Sequence, residues 1–118
     1  MEKTKVFNRV LGLKSEQVAS EFIKNKLKFK ILEQNYKNKI GEIDIIALDK
    51  KTIVFIEVKY SSTKKFGYPR ERVNIYKQQK IRNVATGYLK ANNKLDSLVR
   101  FDVLEVIDND IEYIPDAF

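Results

Sequence analysis

Apolar and polar residues alternate along this chain with two different periods, and each change of period marks the start of a new element. From Ser15 to about Leu27 the apolar residues recur at helical spacing, and Ser15 suits an N-cap. A second helix is predicted after Asn74, and Asn92-Asn93 suits its C-terminal end. The predicted buried stripes are Val18, Ala19, Phe22, Ile23 and Leu27 in the first helix and Ile81, Val84, Ala85, Tyr88 and Leu89 in the second.

Between the helices, three apolar runs near residues 29–36, 42–48 and 53–60 predict β-strands. Gly41 and the four residues 49–52 are short connections, so we expect an antiparallel meander. Two more strands are predicted at 99–107 and 111–114. A strand reached through a helical crossover runs parallel to the strand before it. The order αβββαββ therefore predicts an α/β fold with a mixed β-sheet flanked by helices.

The length of 118 residues predicts a single domain, with a core from about 12 to 107 and a short acidic strand and tail at 108–118. No run approaches the roughly 18 apolar residues that a membrane-spanning helix needs, and the N-terminus has no apolar stretch typical of a signal peptide. We therefore expect a cytoplasmic protein with no membrane contact.

The composition excludes several kinds of chemistry. There is no cysteine and no histidine, which excludes disulfides, cysteine zinc sites, Ser-His triads and histidine general bases. Any catalysis must use carboxylates, Lys, Arg, Tyr or a bound metal.

The net charge of +7 is unevenly distributed. Six of the 16 acids lie in residues 101–118, so the first hundred residues carry all 23 Lys and Arg against 10 acids. From Lys59 to Lys90 there are nine basic residues and one acid, Glu71. Positive charge concentrated in this way attracts polyanions such as nucleic acid, although a lysine-rich surface can also serve only solubility.

Two carboxylates are predicted to meet in the hairpin formed by 42–48 and 53–60. If the hairpin closes about the Lys50–Lys51 bond, Asp44 lies opposite Glu57, and Glu42 lies opposite Lys59. Carboxylates this close repel each other unless a proton or a cation lies between them, and Mg²⁺ suits such a pair.

The predicted faces follow from strand alternation. Glu42 and Asp44 would share one side of their strand, with Ile43, Ile45 and Ala47 on the other. On the next strand, Glu57 and Lys59 would share a side with Ile53 and Phe55. An ordinary cross-strand salt bridge with two solvated acids is the alternative, but charge inside apolar strands is costly unless it is paired or bound to metal.

The segment Gly41-Glu42-Ile43-Asp44, followed by Glu57-Val58-Lys59, resembles the signature of PD-(D/E)xK nucleases. More narrowly, the chain resembles the YraN-like family, which is related to Holliday-junction resolvases, from about residue 12 to 106. Matches outside the hairpin are Glu16 and Ala19, Phe66-Gly67 and Pro69, Val73, Lys77, Ala85, Tyr88-Leu89, and Arg100-Phe101-Asp102-Val103. The resemblance implies a restriction-endonuclease-like fold.

The same resemblance implies roles for four residues. Asp44 and Glu57 would be ligands of Mg²⁺ or Mn²⁺, Lys59 the catalytic lysine, and Glu16 an accessory carboxylate. For Glu16, a favourable position near the positive end of the first helix is an equal alternative.

Other basic residues are candidates for contact with the substrate. Lys77 lies one turn before Ile81 on the apolar stripe of the second helix, so it could reach the site or extend to solvent. Lys80 is a weaker candidate of the same kind. The loop residues Lys64, Lys65, Arg70 and Arg72 could track phosphates or be solvated. Tyr60 and Tyr68 could stack on bases, and Asp102 could cap or pair at the start of a strand.

The sequence thus favours a metal-dependent endonuclease that hydrolyses phosphodiester bonds in structured or branched DNA. A binding module of the same fold with little or no cleavage is the alternative, and an adaptor for an acidic protein is a third interpretation. A homodimer is also left open.

Overall fold

The computed structural model describes residues 4–7, 15–61, 73–107 and 110–118, which form a sheet with two helices. The elements are β1 (Thr4–Phe7), α1 (Ser15–Asn25), β2 (Lys30–Lys37), β3 (Glu42–Asp49), β4 (Thr52–Ser61), α2 (Ile75–Ala91), β5 (Leu98–Ile107) and β6 (Asp110–Ile114). The predicted order is confirmed from α1 onward. β1 was not predicted, because four residues are too few to show a period and the strand is defined by its pairing with β6.

The six described strands form one sheet in the order β1-β6-β5-β4-β3-β2. β2, β3 and β4 pair antiparallel, as their short connections predict. β4 and β5, which α2 connects, pair parallel, and the antiparallel β6 follows. The mixed sheet is therefore confirmed.

The ends of α2 are fixed by the residues that the sequence suggests. The Asn74 side chain accepts a hydrogen bond from the Lys77 N–H at 2.9 Å, which caps the first turn. At the other end Asn93 has a φ of 56°, and the Lys94 N–H donates to the Leu89 carbonyl at 2.7 Å. This is the Schellman arrangement, in which a left-handed residue closes the helix. Among the described residues, neither helix has the length and apolar character to cross a membrane.

A separate apolar cluster covers each face of the sheet. On one face the buried stripe of α1 packs against Ile45, Ala47, Val54 and Ile56. On the other face the buried stripe of α2 packs against Ile46, Ile53 and Phe55. Both predicted helix stripes are confirmed, with Leu27 partly buried at the edge. A mixed sheet with one helix on each face is an α/β fold of the restriction-endonuclease-like kind.

The predicted alternation along β3 is wrong at Ile43. This residue packs in the α2 cluster, whereas Ile45 packs in the α1 cluster. The cause lies on β2, where Asn35 has a φ of 53° between the partners of Ile43 and Ile45. The strict alternation of side chains between the two faces of the sheet is therefore interrupted at Asp44. This residue borders a cavity on each face.

Candidate active site

The β3–β4 hairpin has the predicted register over most of its length. Its pairs run from Asp49↔Thr52 to Ile45↔Ile56, as expected for closure about the Lys50–Lys51 bond. Beyond Ile45 and Ile56, β4 continues to Ser61 in register with β5.

The Asp44 carboxylate lies where the hairpin pairing ends. Its Oδ2 accepts a hydrogen bond from the Val58 N–H at 2.8 Å. A side chain therefore continues the backbone pairing of the hairpin by one step and holds the carboxylate beside β4.

The carboxyl groups of Asp44 and Glu57 lie close together at the edge of one cavity, as the register predicts. Glu57 is only 7% exposed, and Asp44 is half-buried. Burial raises the pKa of Asp44 to about 6, although the Val58 N–H acts in the opposite direction. The negative charges of Glu57 and Glu42 raise this pKa further. The Asp44 carboxyl group thus has a second acid beside it in a poorly solvated place.

Two lysines approach the same oxygen of Glu57. Lys77 Nζ lies 3.0 Å from Glu57 Oε2, and Lys59 Nζ lies 3.6 Å from it. The hydrogen bond with Glu57 raises the pKa of Lys77, so its ammonium stays charged. The Asn74 side chain accepts a hydrogen bond from the Lys77 N–H and so fixes the Lys77 backbone in the first turn of α2. The structure therefore brings Asp44, Glu57, Lys59 and Lys77 together.

The predicted pairing of Glu42 with Lys59 is wrong. Within the described part of the chain, β3 and β4 pair only as far as Ile45 and Ile56. Glu42 lies opposite Lys37 on β2, while Lys59 contacts Glu57 and lies in register with Glu105 on β5. The hairpin pairing stops at this point because the Val58 N–H donates to the Asp44 side chain instead of to a backbone group of β3.

A cavity of about 390 Å³ opens beside the carboxylate pair. It is lined by Lys37, Asn38, Lys39, Gly41, Glu42, Asp44, Glu57, Lys77, Lys80 and Ile81. Lys80 was predicted to contact nucleic acid and does border this cavity. Lys37 and Lys39 were missed, although their place in the short connection before Gly41 could have indicated that they flank the carboxylate strand.

Several predicted site residues cannot be placed. Glu16 is the second residue of α1, but its side chain lies outside the described set. Lys64, Lys65, Arg70, Arg72 and Tyr68 also lie outside the described residues, so their roles stay predictions. Tyr60 is 48% exposed and borders a smaller cavity of about 90 Å³ with Asp44 and Ala19.

Asp102 forms an ion pair, which is one of the two roles, capping or pairing, predicted for it. It is fully buried and accepts two hydrogen bonds from Arg100, both at 2.9 Å. The Tyr113 hydroxyl and the Asp116 N–H also donate to it, the latter at 2.8 Å. Arg100 in turn reaches Asp49 at 3.1 Å. Arg100 thus links Asp102 to the hairpin end of β3, whereas Asp102 itself lies in register with Ile56, the residue before Glu57 on β4.

The donor set at Asp44 and Glu57 fits a hard divalent cation. Mg²⁺ is commonly held by one or two carboxylates, with water and phosphate oxygens completing its shell. Among the described residues no group of three or more His, Cys, Asp or Glu side chains is placed to hold a metal. The described part of the chain therefore offers two carboxylates, which suits Mg²⁺ or Mn²⁺ better than an ion that needs a full protein shell.

Comparisons with known proteins give a consistent result. A family model described as "Uncharacterised protein family UPF0102" matches residues 15–106. A UPF0102 protein of Caldanaerobacter subterraneus subsp. tengcongensis is 45% identical over 105 residues, which cover 89% of this chain and 85% of the relative. A UPF0102 protein of Clostridioides difficile is 46% identical over 113 residues, covering 94% and 98%. One from Persephonella marina is 37% identical over 113 residues, covering 96% and 97%.

Proposed function

The chain belongs to the uncharacterised protein family UPF0102, and on that premise we propose that it is a Mg²⁺- or Mn²⁺-dependent endonuclease that hydrolyses phosphodiester bonds in structured or branched DNA. The observation that carries the proposal is the contact between the carboxyl groups of Asp44 and Glu57, with Lys59 and Lys77 on Glu57. The YraN-like and PD-(D/E)xK resemblance of the same residues supports it.

Asp44 and Glu57 are the residues that would hold the metal. Burial raises the pKa of Asp44 and the negative charge of Glu57 raises it further, and a bound cation would offset both effects. A divalent metal in this position supplies Lewis-acid polarisation of a phosphate oxygen and acidifies bound water. The Val58 N–H keeps Asp44 turned toward Glu57 before any ligand arrives.

The lysines supply fixed positive charge next to the carboxylates. Lys59 is 28% exposed, so its ammonium is desolvated enough to interact strongly with a phosphate oxygen or to orient an attacking water. Lys77 is 49% exposed at the rim of the cavity, where a charged group meets the substrate as it enters. Glu57 holds both ammonium groups near the place where negative charge develops.

The choice of nucleic acid as partner follows from the charge of the cavity. Four lysines line it beside the three acids Glu42, Asp44 and Glu57, and phosphates are the anions that such lysines bind in a salt-dependent way. The preference for branched or otherwise structured DNA derives from the resemblance to Holliday-junction resolvases. A homodimer, which sedimentation would test, is part of the same proposal.

A binding module of the same fold, with little or no cleavage, is favoured by one specific observation. The Lys77 ammonium is 3.0 Å from Glu57 and already neutralises part of the negative charge that would attract a metal. In such a protein the carboxylates and lysines would form a metal-independent ion cluster within a DNA-binding surface.

The deciding experiment is a cleavage assay on duplex, single-stranded, flap and four-way-junction DNA with Mg²⁺ or Mn²⁺. Wild type, Asp44→Ala, Glu57→Ala and the control Asp96→Ala are purified in parallel, because Asp96 is an exposed acid outside the site. We expect cleavage by wild type and Asp96→Ala alone. Salt-sensitive binding without cleavage would select the binding module. Equal cleavage by all four proteins would indicate a contaminating nuclease and contradict the proposal.

A further inference from the structure

The cavity beside Asp44 and Glu57 extends to a second group of basic side chains. Lys37 is the last residue of β2, Lys39 lies in the β2–β3 connection, and Lys80 comes from α2 one turn after Lys77. The volume of about 390 Å³ lies within the range of sites that bind small molecules. The cavity is therefore large enough to hold more than the group that reacts at the carboxylates.

Hydrogen bonds of Asn38 hold the β2–β3 connection in place against α2. Asn38 Oδ1 accepts hydrogen bonds from the Ile40 N–H at 2.9 Å and the Gly41 N–H at 3.3 Å. Asn38 Nδ2 donates to the Val84 carbonyl of α2 at 3.3 Å. A Cβ at Gly87 would lie 2.8 Å from this nitrogen, so a larger residue there would displace the Asn38 amide from its position against α2. The backbone that carries Lys37 and Lys39 is thereby tied to α2.

Lys80 is held against the same connection. A Cβ built on Gly41 would lie 3.0 Å from Lys80 Cε and 3.3 Å from Val84 Cγ2. The aliphatic part of Lys80 therefore rests directly on Gly41, which has room for it only because it lacks a side chain. Two separate elements thus bring three lysines to one wall of the cavity.

Three ammonium groups on one wall repel one another, and an anion between them relieves that repulsion. Glu42 is the acid nearest in register, opposite Lys37, and it is exposed. A single carboxylate cannot balance three lysines. The wall therefore has a residual positive charge next to a carboxylate pair that would itself repel phosphate without a metal.

We propose that Lys37, Lys39 and Lys80 form a second phosphate subsite, which binds the backbone phosphate of a nucleotide next to the one cleaved at Asp44 and Glu57. This inference rests on the proposed function, which it extends. The ligand of the whole cavity is then a strand with at least two phosphates, not a mononucleotide. The carboxylates and these three lysines line one cavity, to which Lys77 also contributes beside Glu57.

The test measures the salt dependence of DNA binding in EDTA, where no metal-dependent cleavage occurs. A fluorescein-labelled DNA duplex is titrated with wild type, with Lys37→Ala/Lys39→Ala/Lys80→Ala and with Lys50→Ala/Lys51→Ala/Lys90→Ala. The control removes the same charge from exposed positions at the β3–β4 turn and the end of α2. Loss of one phosphate contact should flatten the log–log salt slope by about 0.9 in the first variant and leave it nearly unchanged in the control.

A second readout locates the contact directly. In ¹⁵N-labelled wild type, adding a dinucleotide with two phosphates should shift the amide signals of Lys39 and Gly41, and a mononucleotide should shift them much less. The amides of Lys50 and Lys51 serve as internal controls. Equal slopes in the two triple variants, or shifts that do not distinguish the two ligands, would overturn the subsite.

The outcome is separable from that of the proposed function. If Asp44→Ala cleaves as wild type does, the endonuclease proposal fails, whereas the salt slope still decides the subsite. If cleavage requires Asp44 but the slopes are equal, only the subsite is overturned. Unchanged melting temperatures of both triple variants would show that neither result arises from unfolding.

Discussion

Asp44 and Asp102 are carboxylates on neighbouring parts of one sheet, but the chain surrounds them differently. Asp102 is fully buried and receives four hydrogen bonds, from Arg100, Tyr113 and the Asp116 backbone. Asp44 is half-buried and receives one backbone hydrogen bond, while its other close neighbour is a second carboxylate.

The difference separates a carboxylate whose partners all come from the chain from the carboxylate that we propose holds a metal. A buried acid that contributes to the fold is provided with donors by the chain itself, because an unpaired buried charge costs several kcal/mol. At the Asp44–Glu57 pair two acids lie close together, and the Lys59 and Lys77 ammonium groups on Glu57 offset only part of their repulsion. Folding stability should therefore depend on Asp102, and function on Asp44.

The largest expected effect on stability is that of Asp102→Ala. The substitution leaves the Arg100 guanidinium and the Tyr113 hydroxyl without their acceptor, so the free energy of unfolding should fall by about 3–5 kcal/mol. Asp44→Ala should stay within about 1 kcal/mol of wild type, because it also removes repulsion from Glu57. Urea denaturation of both variants checks this. A loss of equal size in both would abolish the distinction between the two carboxylates.

The next effect is stabilisation by metal. Mn²⁺ bound only to the native state should raise the free energy of unfolding by about 1–3 kcal/mol at concentrations well above its dissociation constant. Asp44→Ala and Glu57→Ala should lose this rise, and the control Asp96→Ala should keep it. Thermal denaturation with and without Mn²⁺ measures it. The scan is repeated with junction DNA, since carboxylate sites for such ions can be weak without substrate phosphates. No rise in wild type under either condition would contradict the metal site.

The hairpin shows how far local pattern predicts the site. The four residues 49–52 determined the register, and the register determined that Asp44 meets Glu57. The same reasoning failed at Ile43 and at Glu42. Asn35 on β2 has a positive φ beside this part of β3, and the Asp44 side chain accepts the Val58 N–H where the backbone pairing of the hairpin ends. A single strand pattern contains no information on either.

The sequence pattern also could not predict the tertiary contacts of the lysine wall formed by Lys37, Lys39 and Lys80. Lys37 and Lys39 border the cavity because the Asn38 side chain between them donates a hydrogen bond to the Val84 carbonyl, 46 residues away in sequence. β1 was missed for a similar reason, since its pairing with β6 joins the two ends of the chain. The predicted stripes of α1 and α2 succeeded because helix burial follows a period that the sequence shows directly.

A smaller effect concerns pH. The pKa of Asp44 is about 6 in the folded state against 3.8 for the free side chain, so between these values the folded protein holds a proton that the unfolded chain has released. The resulting contribution to stability is complete below pH 4 and is lost as the pH rises through about 6. Because Asp44 is only half-buried, we expect a contribution on the order of 1 kcal/mol.

The pH prediction is checked by subtracting the pH profile of Asp44→Asn from that of wild type. The difference should fall between pH 4 and pH 6.5, and the Mn²⁺-dependent rise should be smaller at pH 5 than at pH 7.5, because proton and metal compete for the same oxygens. A flat difference profile would mean that the pKa of Asp44 does not rise when the chain folds.

The smallest expected effect is that of Lys77→Met on stability. Its ammonium contacts Glu57, but the side chain is 49% exposed, and half-exposed ion pairs contribute at most about 1 kcal/mol. Lys59 also remains beside Glu57 after the substitution. Arg100→Met is the matched reference, because Arg100 joins two acids and is only 23% exposed, so its loss should cost more than that of Lys77. Denaturation curves of the two variants compare the two ion pairs directly. If Lys77→Met is as destabilising as Arg100→Met, the lysine is part of the structural framework. If its stability is nearly unchanged while DNA cleavage or metal-free DNA binding falls, Lys77 acts on the ligand, which is the role that its position at the rim of the cavity indicates.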